Sequence, residues 1–342
     1  MDTMKMVYTQ LKLHERRTSK TWIVCITIGC VILFGAMPLF RHDTSCRTLV
    51  GEMMMHNREH YKLTKEEEKI EAAILVNNRI YWSFNSVSLR DGRLVTRFSN
   101  VQGNYMACSR PEVSGNFTTK YSFGSYIGTR SNGTWKLDMP AEDTFHPCEI
   151  HPTGFEDPRT VDDAWIMIGF RGMVHGDCKH HVLMFTPGWS EYRVIEYDQA
   201  RTVEKNWMAF VYNREQYFHY SLHPEHIVLK CREASCDQAY ANPGLSFASA
   251  GGGVTPYNDT HMIGVAHTRI PWRQPFFFLV DNVPPFHIRA ISDTMSLYPS
   301  MMQFPTHISH EENAFRIFFG VDDCFTIVRR DALETLEWKG VS

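Results

Sequence analysis

Five times along this chain a polar turn runs straight into a short stretch of β-branched and aromatic residues. The stretches are NNRIYWSF (77–84), VDDAWIMIGF (161–170), NREQYFHYS (213–221), NDTHMIGVAH (258–267) and EENAFRIFF (311–319). Asparagine and aspartate at such turns tolerate left-handed backbone and bond their own main chain, and the runs that follow have strand composition. The apolar runs recur at intervals of about 85, 51, 46 and 53 residues. A unit of that length, built of turns and short strands, cannot bury its faces alone. Stacked against neighbours around an axis it can, and five such units close a ring. The expectation is an all-β domain folded as a five-bladed β-propeller, its long first interval holding an insertion over 102–152. A two-sheet sandwich is the competing architecture.

The N-terminal part reads differently. Residues 1–21 carry five Lys/Arg, and the next 19, WIVCITIGCVILFGAMPLF (22–40), carry no charge. At about 1.5 Å per residue this segment reaches roughly 28 Å, close to the hydrocarbon thickness of a bilayer. It is longer than the apolar region of a cleavable leader, and no small-x-small cleavage site stands out. The cationic excess on its N-terminal side puts 1–21 in the cytoplasm. The predicted layout is a cytoplasmic tail (1–21), a transmembrane signal anchor (22–40), a stem (41–71) and the propeller (72–342). That is a type II membrane protein, and the expected location is the Golgi. Within the stem, TKEEEKIEAA reads as a short helix. A net charge of −3 gives nucleic acid no footing.

Sequons at Asn116, Asn132 and Asn258 suit a lumenal domain. Two of the nine cysteines, Cys25 and Cys30, lie in the anchor, leaving seven. In an oxidising compartment Cys231 and Cys236 of CREASC can close a small loop. Seven is odd, so one thiol is left over. It is either Cys46, bridging two chains of a homodimer, or a buried thiol such as Cys324.

The segments before the later turns are the expected innermost strands: GFEDPRT, RTVEKNWMAFVY, ASAGGGVTPY and MMQFPTHISH. Charged, amide and glycine-rich sequence there belongs to a ligand funnel, since a purely structural centre would be filled by Val and Ile. Asp157 with Glu156 offers paired acids, which raise one another's pKa in a low dielectric and favour a proton donor near neutral pH. On a regular strand the two point to opposite faces, and Arg159 shares the face of Asp157. Glu156 and Arg159 also fit a plain ion pair between blades. Lys205, Asn206 and Trp207 supply a point charge, an amide and an aromatic wall, although Trp207 equally fits core packing. The three glycines at 251–253 let backbone approach a ligand, or mark a bulge. Gln303 is a further candidate, and Asp322 is most simply a turn residue. There is no D-x-D triplet, Walker loop, G-x-S-x-G or H-E-x-x-H. HGDCKHH (175–181) lacks zinc-ligand spacing and reads as a loop between strands. No metal and no cofactor are expected.

FEDPR, EKNWMAFVYNREQYFHYSLHP, GGGVTPYNDTHMIGVAHTR and FFGVDDC, in that order, resemble the five-bladed propeller family of β-mannoside phosphorylases and related β-mannosyltransferases. The resemblance covers roughly 72–331. It implies Asp157 as the general acid, acting through a sugar hydroxyl, and Lys205 and Arg201 as phosphate ligands. It also implies His267 as a phosphate contact and His223 as part of the sugar pocket. The chain departs from the family at Ala266-His267-Thr268, which lacks the trailing glycine of the corresponding motif. Inverting hydrolases use two carboxylates. A phosphorylase or transferase needs only one, because the phosphate brings its own charge and cations hold it. The expected function is lumenal, metal-independent transfer of a β-mannosyl-type sugar, with a glycan and a sugar phosphate or nucleotide sugar as partners. Mannoside phosphorolysis or hydrolysis is the alternative among enzymes, and a lectin-like, non-catalytic propeller is the alternative outside them.

Overall fold

The computed structural model describes residues 62–76, 79–99, 125–138, 145–148, 154–161, 165–201, 204–269, 273–295, 302–311, 314–321, 324–331 and 336–341. The apolar segment 22–40, Cys46, Asn116 and Asp322 lie outside them. Among the described residues there are strands and turns but no α-helix.

The first strand, β1 (Glu67–Ile70), stands apart. A first sheet follows, of β2 (Ala73–Val76), β3 (Arg79–Ser88), β4 (Leu94–Ser99), β5 (Ser125–Ser131) and β6 (Thr134–Asp138). The second sheet has β8 (Gly154–Thr160), β9 (Ile166–Val174), β10 (Asp177–Phe185) and β11 (Tyr192–Tyr197), preceded by the short β7 (Phe145–His146), which pairs with β9. The third has β12 (Met208–Tyr212), β13 (Glu215–Ser221), β14 (Glu225–Arg232) and β15 (Ser235–Pro243). The fourth has β16 (Ala248–Pro256), β17 (His261–Thr268), β18 (Pro275–Asp281) and β19 (Ile288–Ser292). In the fifth, β20 (Gln303–Glu311), β21 (Ala314–Val321) and β22 (Phe325–Asp331) run in order. The last strand, β23 (Trp338–Gly340), returns to the edge of β19.

Within each sheet consecutive strands are antiparallel, and short parallel pairings of β5 with β8 and of β11 with β15 join the first three sheets in one hydrogen-bonded path. Strands β3, β8, β12, β16 and β20 each touch the next in that order, and β20 touches β3. The arrangement is propeller-like: sheets radiate from a closed cycle of inner strands. The apolar cores lie between neighbouring sheets. One cluster packs Phe210 and Tyr217 of the third sheet against Phe276 and Phe278 of the fourth. Another packs Ile263 and Phe277 of the fourth against Ile317 and Phe319 of the fifth.

The cycle closes through the N-terminal segment. Strand β1 pairs with β22 from Glu67↔Arg329 to Ile70↔Thr326, making the fifth sheet four-stranded. The helix expected for TKEEEKIEAA is thus a strand. Its Glu, Lys and Ala are good helix formers, but intrinsic propensity is a small term, and the open hydrogen-bonding edge of β22 outweighs it. Beneath this pairing lies a buried hydroxyl network joining the first and fifth sheets. The Ser86 N–H donates to Thr326 Oγ1 (2.9 Å), and Thr306 Oγ1 donates to the Ser86 carbonyl (2.6 Å). Ser86 Oγ lies 2.7 Å from Thr96 Oγ1.

The first repeat is out of phase with the sequence reading. NNRIYWSF opens a β2–β3 hairpin and begins an inner strand, whereas the later runs are second strands. The insertion expected over 102–152 supplies β5, β6 and β7. Cys231 and Cys236 are disulfide-bonded across the β14–β15 hairpin. Cys178 bonds Cys148. HGDCKHH is therefore the β9–β10 hairpin with the start of β10, and not a loop. Cys324 is buried and disulfide-bonded, which rules it out as a free thiol. The sequons at Asn132 and Asn258 sit exposed on the β5–β6 and β16–β17 turns.

Thr326→Val keeps the shape of the seam but leaves the buried Ser86 N–H without its acceptor. Urea denaturation should show a loss of about 1–3 kcal/mol; an unchanged midpoint would remove this network from the account of closure.

Candidate functional site

The site grows from an irregularity in β8. Its register with β9 jumps from Glu156↔Gly169 to Arg159↔Met167, so one extra residue is accommodated in a bulge. Asp157 occupies it in left-handed backbone, φ 36°. Pro158, with no N–H to donate, leaves no ladder donor unpaired there. The bulge aims Asp157 at the first sheet. Its Oδ1 accepts from Asn85 Nδ2 at 2.6 Å and from Arg97 Nη1 at 3.3 Å. Asn85 sits in a bulge of β3, also left-handed at φ 54°. Gly320 of β21 makes room for it, since a Cβ there would collide with Asn85 Oδ1. Two kinked inner strands thus present side chains to each other across a sheet boundary.

Glu156 does not join Asp157. It is buried, with Oε1 3.5 Å from His180 Nε2 of β10. Burial alone would raise its pKa. The approach of His180 and the charges of Arg97, His180 and Lys205 outweigh that and hold the carboxyl well below the ordinary carboxylate range. The mutual elevation expected of two neighbouring acids is absent for Glu156, because the bulge gives the two different partners. The Glu156–Arg159 ion pair is not formed either.

Arg159 is 3% exposed. Its Nε donates to the Gly251 carbonyl (3.1 Å), and Nη1 donates to the carbonyls of Asp157 (3.1 Å) and Pro158 (2.9 Å). The guanidinium lies 5.1 Å from the centre of the Phe304 ring. Nη2 is buried without a hydrogen-bond partner. Burial draws the pKa down to about 10, against the pull of Asp157, so the group remains cationic at neutral pH.

Glu156, Asp157, Arg159, Met167, Gly169, Val182, Lys205, Asn206 and Trp207 line one cavity, with about 290 Å³ of empty space including its mouth. Lys205 is exposed and makes no ion pair with a described residue. Asn206 is left-handed (φ 65°), and its Oδ1 is buried with no partner. Trp207 is 1% exposed and meets Phe218 and Tyr220 edge-on, at 5.5 and 5.2 Å. Its indole N–H donates to Glu204 Oε2 at 2.7 Å. It is a core residue with one edge at the cavity, not an open stacking platform.

The remaining sequence candidates lie away from the described lining. Arg201 is exposed, its guanidinium 5.8 Å from the Tyr220 ring centre. His223 precedes a cis proline, its N–H directed at Ser221 Oγ and its Nδ1 buried without a partner. Gln303 is fully buried in β20, where its N–H meets the Arg273 carbonyl. His267 is buried against Phe304, with Nδ1 2.8 Å from the Thr268 carbonyl. Burial lowers its pKa to about 4. The Thr268 carbonyl opposes this, while Arg273, Arg159 and Lys205 add to it. The ring is therefore neutral at physiological pH. Since a carbonyl only accepts, Nδ1 carries the proton and Nε2 has a bare lone pair. In this tautomer Nε2 accepts a hydrogen bond, from a sugar or a phosphate hydroxyl alike.

The glycines at 251–253 lie in a bulge of β16, where Gly253 is left-handed at φ 98°, and the other two have a packing reason. A Cβ on Gly251 would come within 2.9 Å of Pro305, and one on Gly252 within 2.9 Å of the His307 nitrogen. They let β16 and β20 lie close together and bring the Gly251 carbonyl to Arg159. Asn85, Arg97 and His180 escape the sequence reading because they sit mid-strand or follow an apolar run. The only trace is FNS interrupting the β3 alternation. Among the described residues no cluster of three or more His, Cys, Asp or Glu is placed to hold a metal ion.

No protein-family profile matches the chain, and no curated protein does. Solved structures do. A glycosyl hydrolase from Bacteroides ovatus is similar over 82% of this chain and 96% of its own, at 11% identity and a TM-score of 0.50. An inferred glycoside hydrolase from Parabacteroides distasonis is similar over 80% and 94%, at 12% identity and TM-score 0.50. A β-1,2-mannobiose phosphorylase from Listeria innocua, in complex with β-1,2-mannobiose, matches over 80% and 92%, at 12% identity and TM-score 0.47. At such identities the likeness is one of fold.

Four buried histidines set an acid limit. Burial lowers His267 and His226 to about 4 and His307 to about 3, and pushes His219 well down. In the unfolded chain each titrates near 6.5. Between pH 6.5 and about 4 the unfolded state therefore binds more protons than the folded one, so stability falls as pH falls through that window and is fully present above it. Melting temperature measured from pH 8 to 4 should be level above pH 6.5 and decline steeply below; a level profile to pH 4.5 would contradict the neutral histidines.

Proposed function

We propose that this protein is a carbohydrate-active enzyme that cleaves a glycosidic bond of a β-mannoside-type substrate, with phosphate as the attacking group. One observation carries the reading. Of the two carboxylates lining the cavity, Glu156 is taken up by His180, while Asp157 holds Asn85 and Arg97 through Oδ1 alone. The two lining cations, Arg159 and Lys205, form no ion pair with any described acid, and Arg159 Nη2 has no hydrogen-bond partner. A site with one working carboxylate, an unpaired lysine and a guanidinium with a free Nη2 suits an external oxyanion better than the water-activating second carboxylate of an inverting hydrolase.

In the cleavage direction a phosphate oxygen forms a bond to the anomeric carbon as the glycosidic C–O bond breaks. The departing oxygen takes the Asp157 proton, and the products are a sugar 1-phosphate and the shortened glycan. Hydrogen phosphate, losing its proton on forming the ester, returns one to Asp157 through solvent. In the synthetic direction the same carboxylate removes the acceptor proton, by microscopic reversibility. Asn85 and Arg97 hold Oδ1, which leaves Oδ2 for the transfer. Arg159 Nη2 and Lys205 Nζ bind the oxyanion. The identity of the sugar rests on the sequence resemblance, and the hydrolase-like fold supports a bond-cleaving reaction over transfer from a nucleotide sugar.

Transfer remains the second reading. The uncharged segment 22–40 favours it, since lumenal enzymes anchored in this way mostly build glycans, and that argument is analogy. The type II anchor and Golgi location belong to the same proposal.

The test is incubation of the full chain with β-mannobiose and phosphate, and separately with nucleotide-mannose and an acceptor. Sugar phosphate should appear in the first, and Asp157→Asn should lower its rate by about 10²–10⁴-fold while glycan binding persists. Product only from the nucleotide sugar would move the reading to transfer; binding without turnover in either would make the protein a lectin.

A further inference from the structure

Beside the cavity lies a carboxylate that the proposed reaction does not use. Glu204 is 6% exposed. Its Oε1 accepts from the Arg201 main-chain N–H and from the Tyr220 hydroxyl at 2.8 Å, and its Oε2 accepts from Trp207 Nε1 at 2.7 Å. The three donors come from Arg201, from Trp207 and from Tyr220 of β13. One side chain therefore gathers Arg201 and Trp207, the two ends, onto the third sheet.

Lys205 and Asn206 stand between those ends. Asn206 is left-handed at φ 65°, a conformation asparagine tolerates better than most residues, and it turns the chain between Lys205 and Trp207. The lysine is a flexible stem whose ammonium is placed only as well as its root. Burial of Tyr220, with the hydrogen bond and charge of Glu204, raises the phenol pKa, so that its hydroxyl stays a donor. Were Glu204 merely filling space, an apolar side chain of its size would do so without the desolvation of a charge. Three converging donors instead make it a clamp on the loop.

We propose that Glu204 is a positioning residue of the oxyanion subsite, fixing residues 204–207 so that the Lys205 ammonium and the Asn206 amide face the Asp157 side of the cavity. The inference rests on the proposed reading that this cavity takes phosphate, but its test does not need turnover.

Glu204→Gln keeps the size and replaces one acceptor with an amide NH₂ that must face a donor. Binding of inorganic phosphate to the full chain is measured by calorimetry, alongside steady-state kinetics with β-mannobiose. The variant should weaken the phosphate Kd and raise the KM for phosphate by roughly tenfold to a hundredfold, with the KM for the glycoside and the kcat at saturating phosphate nearly unchanged. Tyr220→Phe, which removes one donor, should move the same quantities less far. A folded Glu204→Gln with the wild-type phosphate Kd overturns the inference. So does a fall in kcat with both KM values unchanged, the signature of a smaller folded fraction. If Glu204→Gln does not fold, Tyr220→Phe carries the test, and an unchanged phosphate Kd there overturns it. Wild-type protein that binds phosphate but turns over no mannoside removes the proposed reaction and leaves the clamp standing. Wild-type protein that binds no phosphate removes the clamp's purpose, and with it the inference.

Discussion

The pairing of β1 with β22 is the interaction on which the other arrangements depend. Sheets set around an axis hold one another only if the cycle is complete, because each buries its faces against two neighbours. The chain supplies the outer strand of its last sheet from its own N-terminal side, so main-chain hydrogen bonds fix β1 to the fifth sheet and the chain that follows it leads directly into the first. Behind them, Ser86, Thr306 and Thr326 satisfy one another's buried polar groups across the same seam. Hydroxyls suit this place because the inner strands bring main-chain groups of two sheets together where neither ladder can satisfy them.

That closure also builds the cavity. Asn85 belongs to the first sheet, Asp157 to the second and Gly320 to the fifth, and their fit is possible only once the last sheet has come round to the first. Two bulges do the aiming. Each inserts a residue in left-handed backbone and turns a polar side chain out of its strand's alternation toward the neighbouring sheet. Arg159 follows the second bulge inward, where its guanidinium ties Gly251 of the fourth sheet to the second. The site is thus assembled by sheet boundaries: Asp157 is held by Asn85 and Arg97, Glu156 by His180, and Arg159 by main-chain carbonyls.

The division between the two carboxylates shows how local sequence misleads. Adjacent acids suggest a shared environment, yet Glu156 turns to His180 of its own sheet while Asp157 turns to Asn85 and Arg97 of another. Of the two readings of the glycine triplet, the bulge is the one found, with β20 packed against Gly251 and Gly252. Of the two readings of Trp207, core packing is the one found, with its indole N–H given to Glu204. Each of these outcomes depends on what lies across a boundary, which no spacing along the chain encodes.

By itself the sequence determined the all-β class, the repeat of turn and strand, the polar character of the inner strands and the Cys231–Cys236 bridge. Those features are local: turn chemistry, strand composition and short separations carry them. It also placed Asp157, Arg159, Lys205 and Asn206 among the candidates, because charge on an inner strand is visible without knowing its partner. Tertiary structure alone decided that β1 is a strand, that the first repeat is out of phase, and that Asn85, Arg97, His180 and Glu204 surround the site. The reason is physical: an edge left open by one end of the chain, and a bulge whose direction depends on the neighbouring sheet, exist only after distant segments have met.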